Sequence, residues 1–137
     1  MKNIITTLAL LISISAFSQS NQELLSHYQK YYKQMQSQSD IQGVINALTH
    51  LNILSPNQAR TDTLATLYMN EGRHVEALNT IGIEKNEADS DLAVQVKAFS
   101  LKAINDIDQS LIHYEELFKR KPNPFIAYEL AEMKIRK

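Results

Sequence analysis

The chain contains no cysteine, and only three glycines and three prolines among 137 residues. Without cysteine it has no disulfide, no thiolate metal ligand and no lipid-anchored cysteine. So few glycines leave no G-x-x-x-x-G-K-[ST] loop, no G-x-G-x-x-G turn and no G-x-S-x-G elbow, which removes phosphate-cradling loops and the hydrolase nucleophile turn. Scarce Gly and Pro, with short β-branched runs, favour helices over a many-turned β fold. A surplus of one charge is also missing. The net charge is -1 with acids and bases interspersed, so there is no basic stripe to neutralise phosphates and nucleic acid is not an expected partner. What remains, 44% hydrophobic and 21% charged residues, is the composition of an ordinary globular chain.

The N-terminus reads as a processing signal. Met1-Lys2-Asn3 is a short positive start, Ile4 to Phe17 is an apolar run, and Ala16 and Ser18 place small residues at the -3 and -1 positions of a cleavage after Ser18. A retained membrane helix needs about 20 apolar residues; this run is shorter and lacks a basic flank. The expectation is a signal peptide at 1–18 and a mature domain at 19–137, periplasmic or secreted, with no integral span after cleavage.

The mature chain reads as helices throughout. Ser20-Asn21-Gln22-Glu23 matches a capping box, and Leu24, Tyr28, Tyr31, Tyr32 and Met35 follow at helical spacing. A second helix puts Ile41, Val44, Ile45, Leu48 and Leu51 inward. Ser55-Pro56 opens a third that runs to about Asn70, Pro being harmless at the first helical position. Gly72 can end it in the left-handed conformation. A short fourth helix spans about His74 to Ile81. Residues 84–90, EKNEADS, read as a polar loop ending in a cap. A fifth helix covers Asp91 to Ile104 and a sixth starts after Asn105-Asp106, with Ile107, Leu111, Tyr114 and Phe118 on one stripe and Ser110 and Leu117 beside it. Lys119-Arg120-Lys121 suit its negative C-terminal end, Pro122 stops it, and a seventh helix with Ile126, Leu130 and Met133 inward reaches the C-terminus.

A shift of 33 residues superposes the chain on itself. It aligns the turn residues Ser39, Gly72 and Asn105, the slim residues Val44, Ala77 and Ser110, and the large ones Leu48, Ile81 and Tyr114. On the first helix of each pair it aligns Tyr32, Ala65, Ala98 and Ala131, and Met35, Tyr68 and Leu101. Small residues recur where helices cross closely and large ones where they fill grooves. A fixed period of this size is a signature of repeat architectures; the competing reading is a plain helical bundle with accidental periodicity.

The stretch Leu64-Ala65-x-x-Tyr68-x-x-x-Gly72-x-x-x-Glu76-Ala77-x-x-x-Ile81 resembles the tetratricopeptide repeat (TPR), and Tyr114-x-x-Leu117-Phe118-x-x-x-Pro122-Asn123 resembles the end of such a repeat. The resemblance covers about residues 25–137, as units at 25–57, 58–90 and 91–123 plus a last helix at 124–137. Departures are Tyr32 at the small position of the first unit, Lys97 for Leu and Ser110 for Ala in the third, and Asp89 for Pro. The resemblance implies an exported bacterial TPR-like protein, all-α, folded as a right-handed solenoid of about seven helices in stacked antiparallel hairpins. It implies a concave face, lined by the first helices, that holds a peptide or partner protein. Carried over by position, the face comprises Gln29 and Lys33, then Asp62, Thr66 and Met69, then Gln95, Phe99 and Lys102, then Tyr128. The family's Lys/Asn clamp for a terminal carboxylate is not matched by Gln29, Lys33 and Asp62.

No constellation of reactive groups emerges. His27, His50, His74 and His113 lack the spacing of a helical metal pair. Glu115-Glu116 and Asp89/Asp91 are neighbours whose side chains point apart. Tyr28, Tyr31 and Tyr32 read as core filling for the first hairpin. The expected function is a non-enzymatic interaction scaffold of the cell envelope, without cofactor or metal; the alternative is an accessory module, or a shortened piece of a longer array, with no ligand in the groove. The last helix is either a solvating cap or an apolar edge open to a partner or a second copy.

Overall fold

The computed structural model describes residues 2–136, with side chains from residue 20 onward. The signal-peptide reading of residues 1–18 rests on side chains outside the described residues. Among the described residues there are seven helices and no strand, and no helix is long and apolar enough to cross a membrane. The all-α expectation holds. The chain divides into two compact units, Met1–Pro56 and Asn57–Lys137.

The first unit is one hairpin, α1 (Lys2–Ser37) and α2 (Ile41–Leu54). Ser20 lies inside α1 rather than at its start, so the capping-box reading fails there. Met35 from α1 and Val44, Ile45, Ala47, Leu48 and Leu51 from α2 are buried. Ile41, expected inward, is 38% exposed. Its place is taken by Gly43, where an added Cβ would lie 2.6 Å from Met35 Cγ. Tyr28 stacks on His50 with ring centroids 4.4 Å apart.

The second unit runs α3 (Gln58–Asn70), α4 (His74–Ile81), α5 (Asp91–Ala103), α6 (Ile107–Arg120) and α7 (Pro124–Arg136). Helix α5 lies against α3, α4 and α6, and α7 against α6. One core cluster joins Ala65, Ala77 and Val96 with Tyr68, Met69 and Ile81 at its edge. A larger one joins Val94 and Ala98, Tyr114 and Leu117, and Ile126, Leu130 and Met133. Leu64, Ala65 and Ala77 are buried where the repeat pattern puts them. The α6 stripe is rotated from expectation: Ser110, His113, Tyr114 and Leu117 are buried while Phe118 is 37% exposed. Ser110 explains its own place, since its hydroxyl donates to the Ala98 carbonyl at 2.8 Å and so fits the tight α5–α6 crossing as Ala would.

The 33-residue register reaches down to single hydrogen bonds. Ser39, Gly72 and Asn105 all have positive φ (55°, 75° and 66°). After each, the next N–H returns to the carbonyl five residues back: Asp40 to Met35 at 2.9 Å, Arg73 to Tyr68 at 2.8 Å and Asp106 to Leu101 at 2.9 Å. This bonding satisfies helix-end carbonyls through a left-handed residue. The helices α3, α5 and α7, which follow the other connections, share a phase too. Their N-terminal caps are Asn57, Ser90 and Asn123, which accept from the N–H three residues on at 3.0, 3.0 and 2.9 Å. Asn57 thereby replaces the expected Ser55-Pro56 start, because Asn supplies the acceptor and leaves Pro56 outside the helix.

Candidate functional site

Six of the nine candidate groove residues lie on α3 and α5. Gln29 and Lys33 are exposed on α1 in the first unit, and Tyr128 is exposed on α7. The α3 residues do not present an open face. Asp62 is 4% exposed and accepts from Gln58 Nε2 at 2.9 Å and from the Ser90 hydroxyl at 2.6 Å. Its carboxylate is committed to the residue that caps α5, which corrects its placement as a groove contact. Thr66 donates to the Asp62 carbonyl at 2.8 Å, and Met69 packs at the edge of the Ala65–Ala77–Val96 cluster.

The α5 residues meet α7. Gln95 and Phe99 share a concavity of about 230 Å³ with Leu117, Phe125, Ile126, Lys121 and Asn123. Phe99 lies edge-on to Phe125 at 6.3 Å and tilted against Tyr114 at 5.5 Å. The helical spacing of 95, 99 and 102 puts these three on one stripe of α5, and 125, 128, 129 and 132 form the answering stripe of α7. One turn further along, the Lys102 ammonium bonds Glu129 and also reaches Glu132 at 3.3 Å. Burial lowers the proton affinity of Lys102, but its bonds to Glu129 and Glu132 more than reverse this and raise its pKa. Burial, then the Glu129 charge and hydrogen bond, push the Tyr114 hydroxyl far above its ordinary range, so it stays a neutral donor. The stripe thus has an apolar, aromatic end at Phe99 and Phe125 and a neutralised polar end at Lys102. Such a surface suits burial of an apolar side chain more than ionic recognition.

A second concavity, of about 880 Å³, is lined by residues 81–90 with Gln58 and Lys97. Lys97, noted in the sequence only as a departure, is 3% exposed. Its ammonium donates to Glu84 O at 2.8 Å and to Asp89 Oδ2 at 2.7 Å. His113, 1% exposed, is bound through Nε2 to Ile83 O at 2.6 Å. Arg120 donates to Asp89 O at 2.6 Å while pairing with Glu116 at 2.9 Å. The loop is therefore fastened through its carbonyls by side chains of α5 and α6. Phe125 and His113 were missed in the sequence. Phe125 stands at the helical spacing of Tyr128 and Glu132, which could have exposed it; His113 is a polar residue one position off the apolar stripe, with no such signal.

Among the described residues, no three His, Asp or Glu side chains converge as a metal site would require. Comparisons with protein-family models, with curated proteins and with solved structures give no match.

Proposed function

We propose that the chain is a TPR-type, right-handed helical solenoid. On this reading it is a non-enzymatic scaffold of the cell envelope that holds a peptide or partner protein along the α5–α7 stripe. The recurrence of helix starts, left-handed turn residues and caps at one 33-residue phase carries this reading. The small concavity between Phe99 and Phe125 supports the stripe as the contact face. Tyr128, at 66% exposure, adds an aromatic anchor of the kind enriched at binding hot spots. A peptide library panned against the mature chain tests it. Phe99→Ala with Tyr128→Ala is expected to weaken selected peptides at least about tenfold, the loss of one ordinary hot spot. Undiminished binding by that folded variant would reject the stripe.

A second reading, a structural module with no groove ligand, is favoured by the internal commitments of Asp62 and Lys102. On that reading the exposed Phe125, Tyr128 and Ile135 offer α7 to a second copy, and sedimentation of the mature chain would show a dimer.

A further inference from the structure

Helices α2 and α6 each have 14 residues; α4, which starts at the equivalent position, has 8. The 33-residue register would carry α4 on to Glu87. Residues 88–90 would then form the three-residue connection that 55–57 and 121–123 form elsewhere, ending on the equivalent cap residue. The chain between Ile81 and Asp91 therefore has the length of a completed helix plus a standard connection. Instead it leaves the helix at Gly82, φ 85°, and unwinds. Gly82 disfavours a helix interior, but the unwound residues after it are not helix breakers: Ile83-Glu84-Lys85-Asn86-Glu87 contains three good helix formers and no Gly or Pro.

The same register identifies what is different. Glu84 stands where α2 has Leu51 and α6 has Leu117, 3% and 5% exposed. Lys97 stands where α3 has Leu64 and α7 has Leu130, 6% and 8% exposed. In the last turn of the register Leu117 and Leu130 belong to one core cluster. An apolar pair of that cluster is thus replaced, one period earlier, by an acid and a base. Both departures from the apolar pattern fall on opposite sides of one contact, and a buried ion pair is a poor stabiliser compared with the apolar pair it replaces. Local rule-breaking with matched partners is the mark of a built-in device rather than a defect.

We propose that residues 82–87 form a helix–coil switch in which the Lys97 ammonium exchanges partners. In the unwound state Lys97 holds Asp89 and the Glu84 carbonyl. In the helical state α4 continues to Glu87, and the Glu84 carboxylate takes the place of Leu117 opposite Lys97. The carbonyls of Ile83 and Glu84 then leave His113 and Lys97 for intrahelical N–H groups, and the concavity under the loop closes. Two arrangements of one segment, each pairing Lys97 with a carboxylate and each giving the Ile83 and Glu84 carbonyls a donor, are what a population shift acts on.

Backbone Cα chemical shifts of residues 83–87, measured on the mature chain, report the state directly. The wild-type chain is expected to show coil shifts there with exchange broadening confined to the segment. Glu84→Leu with Lys97→Leu restores the repeat's apolar pair and is expected to move residues 83–87 to helical shifts. Gly82→Ala, which removes the residue suited to positive φ without touching the pair, is expected to shift them the same way. Asp89→Asn, which weakens the unwound partner, is expected to move them part of the way. Coil shifts at 83–87 in Gly82→Ala and Asp89→Asn, with α5 and α6 resonances undisturbed, would overturn the switch whether or not the double variant folds.

Discussion

The α3–α4 and α5–α6 hairpins begin from the same left-handed turn and are completed by opposite means. The second closes on apolar contacts, with Tyr114 and Leu117 seated among Val94, Ala98 and the inner face of α7. The first has apolar packing only as far as Ile81. Beyond that its chain is tied down by Lys97, His113 and Arg120 acting on backbone carbonyls. Apolar closure is non-directional and gains with every methylene buried. Polar fastening fixes geometry but gives little net stability, since each bond replaces one to water. The same repeat thus yields a firm half and a releasable half.

That contrast can be broken most severely at Leu117. Leu117→Ala is expected to cost about 3 kcal/mol of unfolding free energy through the lost transfer term and the cavity, read from urea midpoints. Lys97→Ala should cost less, about 2 kcal/mol, because Asp89 keeps some exposure and can be solvated once its buried partner is gone. A larger loss than at Leu117 would reverse the ranking of the two halves. A third measurement follows stability against pH. Burial lowers the pKa of His113, with the Lys97 charge adding to that and the Ile83 carbonyl opposing it. A histidine that binds its proton less readily when folded has its full stability above the unfolded value near 6.5 and loses stability as pH falls below it. The lowered carboxyls of Asp91 and Glu116 act further down, below their ordinary values of 3.8 and 4.5. Stability should therefore decline on acidification first through the releasable half, and His113→Gln should flatten the decline that begins below about pH 6.5. The smallest effect is in the turns. Ser39→Gly, at φ 55°, should stabilise by about 0.5 kcal/mol, as relief of the left-handed strain exceeds the entropy of glycine. Gly72→Ala should destabilise by about 1 kcal/mol for the converse reason.

Much of the architecture was legible because it is carried by local signals. Gly72, Asn105 and Pro122 mark helix ends on their own, and the His74–Ile81 helix and the Ile126–Leu130–Met133 stripe read directly from spacing. What was not legible depends on distant partners. Asp62 looks like a surface acid until Ser90, 28 residues on, is placed against it. Lys97 looks like a flaw in a repeat until Asp89 and Glu84 O are seen to hold it. The α6 stripe was misjudged by one position because His113, a polar residue, is turned inward by a carbonyl that only the fold supplies. Ile41 was assigned inward by spacing alone, whereas the close approach of Met35 at Gly43 decides which side of α2 is covered.

The common phase of the caps at Asn57, Ser90 and Asn123 also sets where this chain can change length. Each residue inserted into a helix turns everything beyond it by about 100°, so one extra residue between Ser90 and Ala98 would swing Val94 or Ala98 out of the core cluster. The nine residues from Gly82 to Ser90 transmit no such rotation, because α5 takes its orientation from its own cap and from α3. Length variation should gather there, leaving the angular setting of every later helix untouched.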